Sequence, residues 1–309
     1  MKKLRIPLSV ITLSLLVSPV FAAENLPRKP FGLDALLPEP SQWIVTPLYQ
    51  YTDFQKVWAG KSKTDITYPE GHGFDQNDFA ILTEWGFRTN WAADLTVGFT
   101  DLATRAYSDT PGAVRHTRGL MDTQFGVRYL LLNEKDADSP WTPTLTLRAG
   151  GIYRGTYEKD FPYAPGNGAV GLEVATMMRK HFGWRGFGGY LTGGYRDLRS
   201  GANSQFFATV GFTQVYKCVT LNAGYRHQQD TTGGDAVSTG NSIDGNKITY
   251  TSFVKEVNEE VEAGIGYTDH HDRHWQFYWQ ANFDGRNTGD KDVYGVYVSF
   301  PFGGKHKDG

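Results

Sequence analysis

Along Trp275-Gln276-Phe277-Tyr278-Trp279-Gln280-Ala281-Asn282-Phe283 every second residue is apolar, and the residues between are mostly amides. A period of two is that of a β-strand with one oily face and one wet face, because successive side chains point to opposite sides. The same alternation recurs along most of the chain. Trp43, Val45, Tyr49 and Tyr51 share a face, although Pro47 weakens that segment. Phe79, Ile81, Trp85 and Phe87 lie opposite Glu84, Gly86 and Arg88, and Thr89-Asn90 turns into Ala93, Leu95, Val97 and Phe99, with Asp94 on the other side. Phe125, Val127, Tyr129 and Leu131 oppose Asp122, Gln124 and Arg128, and Leu145, Leu147, Ala149 and Tyr153 oppose Thr146, Arg148 and Arg154.

The pattern continues with Val170, Leu172 and Val174 against Glu173, then Phe187, Leu191 and Tyr195 against Tyr190, Thr192 and Arg196. Phe206, Val210 and Phe212 follow, then Leu221, Ala223 and Tyr225 against Arg226. Further apolar sets are Ile248, Tyr250 and Val254, then Val261, Ala263, Ile265 and Tyr267 against Glu262, and finally Tyr294, Val296, Val298 and Phe300. Charges fall repeatedly on one side of each strand. These segments number thirteen, whereas bacterial outer-membrane barrels have an even count, so about twelve strands are expected. The surplus is expected in the Pro-bearing first segment or in the crowded region 257–275.

Connections alternate between long ones near 57–76, 105–118, 158–167 and 230–245 and short ones near 89–90, 183–185 and 216–217. Short turns on the periplasmic side and long loops outside make the first strand run outward. Trp43, Trp85, Trp91, Trp184, Tyr216, Tyr267 and Trp275 sit at strand ends, where amphipathic rings suit the headgroup level. The fold class that follows is all-β, an antiparallel up-and-down transmembrane barrel spanning 43–302. A secreted sandwich is the alternative, with the aromatic faces buried against a second sheet.

The N-terminus sharpens this picture. Lys2, Lys3 and Arg5 precede the apolar run from Leu8 to Val17 and the small-residue site Val20-Phe21-Ala22, which reads as a signal peptide over 1–22. That run is shorter than the about 18 apolar residues of a spanning helix, and no later run reaches that length. Residues 23–42 hold four prolines and the patch Leu33-Asp34-Ala35-Leu36-Leu37; they read as a periplasmic segment that could fold into the barrel mouth.

 Removing the leader takes away three positive charges and no negative ones, leaving a mature net charge of about −5. Such a balance argues against a nucleic-acid partner. The partners implied are instead outer-membrane lipid and lipopolysaccharide, the barrel-insertion machinery and a small-molecule solute. Cys218 is the one cysteine, which excludes an internal disulfide and a multi-cysteine metal site; it reads as a small, partly buried strand residue.

The run Gly151-Ile152-Tyr153-Arg154-Gly155-Thr156-Tyr157, with Pro165-Gly166-Asn167-Gly168, Gly171-Leu172-Glu173, Gly183 and Gly194-Tyr195-Arg196, resembles the outer-membrane transporter-like proteins of the MetA-pathway phenol-degradation family. The resemblance runs from about Trp85 to Arg226. It implies a Gram-negative outer-membrane barrel, linked in some members to the passage of hydrophobic or aromatic compounds, and it carries over no catalytic motif. The C-terminus departs from the usual terminal aromatic signal of such barrels, because Phe300-Pro301-Phe302 is followed by a polar tail, 303–309.

The candidate pore lining is Glu84, Arg88, Asp94, Asp122, Arg128, Arg148, Arg154, Glu173, Arg196, Arg226 and Glu262. One reading is a constriction whose opposed charges select solutes. The other is a set of pairs that plug the lumen structurally, since an inward charge needs a partner or water. Neither a cofactor, a metal site nor a catalytic residue is assigned. Asp269-His270-His271-Asp272-Arg273-His274 is rich in metal-ligand types but reads as a polar hairpin tip. A lipid hydrolase built on the outward His227 and Ser252 is the enzymatic rival. If Gln229 and Asn246 flank the loop, His227 pairs near Ile248 and Ser252 lies about 14 Å further down. Gly186-Phe187-Gly188-Gly189 lacks the helix and the Lys-Ser/Thr of a phosphate loop. The expected function is a narrow, monomeric passage for small or aromatic solutes, with a non-conducting surface barrel acting through its long loops as the alternative.

Overall fold

A computed structural model describes residues 33–65, 73–104, 114–158, 166, 168–182, 186–199, 202–231 and 255–304. The strands are β1 (Gln42–Ala59), β2 (Ser62–Asp65), β3 (Phe74–Arg88), β4 (Trp91–Thr104), β5 (Arg115–Leu120), β6 (Thr123–Leu132) and β7 (Thr144–Tyr153). They continue with β8 (Gly171–His181), β9 (Phe187–Leu198), β10 (Gln205–Tyr216), β11 (Val219–Asp230), β12 (Val257–Thr268), β13 (His274–Arg286) and β14 (Gly289–Gly303). Leaving aside β2 and β5, each strand pairs antiparallel with the next, and β14 pairs back onto β1. The result is a closed transmembrane barrel of twelve strands, which leaves no sheet edge for lipid to expose.

Alternation decides which face is which. On β13, Trp275, Phe277, Trp279 and Phe283 are exposed while Gln276, Gln280 and Asn282 are buried, so the oily side is the outside and the polar side is the lumen. A water-soluble fold would reverse this assignment. Trp43 and Trp85 stack outside with centroids 5.2 Å apart, and Trp91 packs on Tyr129 at 4.7 Å, building the girdle near the short turns.

Two expectations about the strand count are corrected. The Pro-bearing segment and the 257–275 region both form barrel strands. Pro47 lacks an N–H, and the ladder between β1 and β14 is interrupted at Thr46 and Pro47, but the pairing of β1 with β3 runs through Pro47↔Ile81 without a break. The surplus segment is 248–254, which lies outside the described residues; β11 pairs directly with β12, so the barrel closes without it. The stretches taken as loops at 57–76 and 105–118 are partly strand. β1 runs on to Ala59 and β2 folds back on it, while β5 folds back on the end of β4. Cys218 sits exposed in the β10–β11 turn rather than partly buried in a strand.

The chain enters through the barrel. Residues 33–41 cross the mouth at the short-turn end, where β1 starts and β14 finishes. Asp34, Ala35 and Pro38 are buried there. The approach is so close that a Cβ at Gly86 would stand 2.2 Å from the Glu39 carbonyl oxygen, so only glycine fits at that step of β3. The expected signal peptide, 1–22, and the tail beyond Gly304 lie outside the described residues.

Candidate functional site

The lumen wall between β3 and β9 carries a continuous chain of ion pairs, to which the N-terminal segment is tied. Inward positions of β3, β4, β6, β7, β8 and β9 present Glu84, Asp94, Arg128, Arg148, Glu173, Arg179 and Arg196. Arg128, with no solvent-accessible side-chain surface, donates to Glu84 at 2.5 Å and lies 3.6 Å from Asp94. Arg148 donates to Asp94 at 2.6 Å and also to Glu173, whose other oxygen takes Arg196 Nε at 2.5 Å. Three contacts then fasten the entering segment: Arg179 pairs with the Asp34 carboxylate, Arg128 Nη1 donates to the Asp34 carbonyl at 3.0 Å, and Thr146 Oγ1 donates to the Ala35 carbonyl at 2.6 Å. Four arginines face four carboxylates, so the network is close to neutral. Buried charges survive only when paired and hydrogen-bonded in this way.

The opposite wall, β10 to β14 with β1, is built mainly from amides and tyrosines. Tyr190 OH donates to Glu262 at 2.6 Å, and Gln280 lies between Glu262 and Arg226. Arg226 reaches Glu260 at 3.5 Å, and Lys291 Nζ reaches the other Glu260 oxygen at 2.9 Å. Tyr278 donates to Gln50 at 3.0 Å, which in turn donates to Asp78. A cavity of about 40 Å³ opens where the two walls meet, beside Arg196, Phe207, Arg226 and Glu260.

Six of the eleven candidate lining residues therefore share one network: Glu84, Asp94, Arg128, Arg148, Glu173 and Arg196. Arg226 and Glu262 stand on the second wall. Asp122 lies at the outer end, where its carboxylate accepts from Gly155 N, Tyr157 OH and Gly168 N and pins the β7–β8 connection. Arg88 and Arg154 do not line the lumen. Arg88 follows a register irregularity after Gly86 and is exposed at the hairpin turn, and Arg154 comes just after β7 ends, where alternation no longer directs it. The alternation does not mark Asp34 or Arg179, because 33–41 has no strand period and the apolar alternation fades after Val174. The inward parity of Met177 and Arg179, continued from Glu173, was the available signal for the second.

The rim clusters are simpler. Asp269 accepts from Arg273 Nε at 2.6 Å and from the His271 backbone at 2.9 Å, so the histidine-rich stretch is an internally tied turn. Among the described residues no three His, Cys, Asp or Glu side chains form a group that could hold a metal ion. His227 pairs across the ladder with Glu259, not near Ile248, and its Nδ1 lies 2.9 Å from the Glu259 carboxylate, which also takes Tyr225 OH. Ser252 lies outside the described residues.

At the outer end of β11, Asp230 and Glu256 are neighbours. Asp230 N donates to the Glu256 carbonyl at 2.9 Å, and Glu256 N donates to Asp230 Oδ2 at 3.1 Å. Burial, and then the adjacent Asp230 charge, push the Glu256 carboxyl up to about 7. Its folded value thus exceeds its unfolded one, so its stabilising contribution is complete below about pH 4.5 and is lost as pH rises to about 7. Hydrogen-exchange protection factors in 203–231, which remove the base-catalysed rise of the intrinsic rate, should accordingly be higher at pH 5 than at pH 8. Glu256→Gln should flatten that difference, and an unchanged pH response in the variant would show that another group is responsible.

No family model and no curated protein matches the chain. Solved structures do. The barrel is similar to an outer-membrane channel from Pseudomonas putida F1, with a TM-score of 0.64 and 13% identity, covering 89% of this chain and 99% of the channel. It also matches, less well, the TodX monoaromatic hydrocarbon channel, with a TM-score of 0.44 and 11% identity over 87% of this chain and 92% of that one. Outer membrane phospholipase A from Escherichia coli matches with a TM-score of 0.41 and 10% identity, over 85% and 97%. The first match establishes the fold as that of an outer-membrane barrel.

Proposed function

We propose that the chain is an outer-membrane channel for small solutes, apolar or aromatic ones among them, whose periplasmic mouth is closed by its own residues 33–41. The observation that carries this reading is how the segment is held. It enters a ready-made barrel and is fastened by the three polar contacts of Asp34 and Ala35. A lumen needing only to be filled would do so more favourably with packed apolar side chains, because buried ion pairs contribute little net stability. The fold shared with the Pseudomonas channel and the likeness of Gly151 to Tyr157 to the phenol-degradation family support the same class. Lipopolysaccharide and the insertion machinery belong to this reading as the surroundings of any such barrel.

The chain is read as non-enzymatic. A lipid hydrolase built on His227, whose Nδ1 the Glu259 carboxylate would orient as in a catalytic triad, would instead show deacylase activity in detergent that His227→Ala removes. Purified barrel, checked for folding by its heat-dependent gel mobility, should give small, mostly closed single channels in planar bilayers and slow solute entry in liposome swelling. Folded protein showing neither, even with the segment 33–41 weakened, would leave the non-conducting surface barrel as the better account.

A further inference from the structure

The five lumen arginines divide into two kinds. Arg128, Arg148 and Arg179 keep 5% or less of their side-chain surface accessible, whereas Arg196 and Arg226 keep 24% and 32%. The two accessible ones stand on the strands either side of β10, four residues apart along it, about 14 Å at the backbone, and their side chains both line one cavity. Arg196 pairs with Gln205 and Arg226 with Thr209, so Phe207 is the inward residue of β10 midway between them. Its ring lies 4.7 Å from the Arg196 guanidinium. The ring has room there because Gly194 has no side chain; a Cβ would stand 2.4 Å from the ring's Cζ. These residues, with Asn258 and Glu260, surround the cavity of about 40 Å³.

The donors of Arg196 are only partly used. Arg196 bonds Glu173 through Nε and stacks on Phe207, and its two Nη groups make no hydrogen bond to the described residues. Glu173 also holds Arg148, and Glu260 holds Lys291 as well as Arg226. Glu173 and Glu260 thus each already serve a second cation. Glu262, further down the wall, is taken by Tyr190 and Gln280. A planar guanidinium with a free edge matches a carboxylate, and the flat Phe207 beside it favours an apolar ring over a hydrated ion.

We propose that Arg196, Phe207 and Arg226 form a subsite for the carboxylate of a small aromatic acid, with the acid's ring lying beside Phe207 on its lumen side. This inference rests on the channel reading, naming a solute class for it, but its test does not require conduction. Benzoate binding to detergent-folded barrel is measured by titration calorimetry, with benzamide as the uncharged isostere. Benzoate should bind at least tenfold more tightly than benzamide, and Arg196→Gln/Arg226→Gln should remove that preference. Phe207→Leu keeps both arginines and should weaken benzoate while leaving acetate unchanged; it also serves if the double variant fails to fold. Equal binding of benzoate and benzamide, or benzoate binding unaltered in the variants, would overturn the subsite. Arginine-dependent binding by a barrel that never conducts would sink the channel reading alone, and a conducting barrel blind to benzoate would sink only the subsite.

Discussion

Arg128→Met should destabilise the barrel by about 3–5 kcal/mol, the largest loss expected from any single lumen substitution. Arg128 is the most enclosed cation among the described residues and serves Glu84, Asp94 and the Asp34 carbonyl at once. Methionine replaces its volume but not its charge, leaving two buried carboxylates to share fewer cations. Asp94 retains Arg148, so the penalty should fall mainly on Glu84. The variant Arg128→Met/Glu84→Gln should therefore recover much of the loss, because both members of the short pair are then uncharged. Urea midpoints of the folded barrel in micelles, read with gel mobility, would measure both. A single variant as stable as the parent would mean that water reaches Glu84 and that the network is wetter than its burial indicates.

The barrel was legible because lipid outside and polar lumen inside impose one period on every strand. Phe277 is exposed and Gln276 fully buried, as their neighbouring positions in the sequence require. Phase fails where the ladder slips. A one-residue irregularity opposite Glu259 and Glu260 leaves both Phe283 and Asp284 exposed, and another after Gly86 carries Arg88 away from the lumen. The register of His227 differs for a related reason: Gln229 pairs with Val257 and not with Asn246, so the connection is longer than the spacing predicts, and no period in the sequence marks where it ends. The candidate site was half legible. Parity gives the inward charges but not their partners, since pairs such as Arg179 and Asp34 join residues 145 positions apart. Nothing local in 33–41 says that it enters the lumen, because a segment with no strand or helix period takes its place from the wall that receives it.

That placement leads to the second large effect, on conduction. Asp34→Asn preserves the shape of the segment and removes the anion facing Arg179, a pair whose members are almost wholly buried. Removing one partner of such a pair costs about 3–5 kcal/mol, and the cost falls on the state in which the segment sits in the mouth. If the segment leaves the mouth, Arg179 gains access to water, so the open state escapes most of that cost. Since each 1.4 kcal/mol changes an equilibrium about tenfold, the ratio of open to closed channels should rise by on the order of a hundredfold. The contacts from Arg128 and Thr146 to the backbone carbonyls remain and keep the rise below complete release. Barrel stability should fall by no more than the free energy that separates the open from the closed state in the parent, because the strand-to-strand pairs of Arg128, Arg148 and Glu173 are untouched. This separates a gate from a structural filler. Single-channel recording at fixed salt reads the open fraction directly, and Arg179→Gln placed on Asp34→Asn should bring it back toward the parent by removing the buried cation. Parent and Asp34→Asn channels with the same open fraction would show that the segment is a fixed part of the wall.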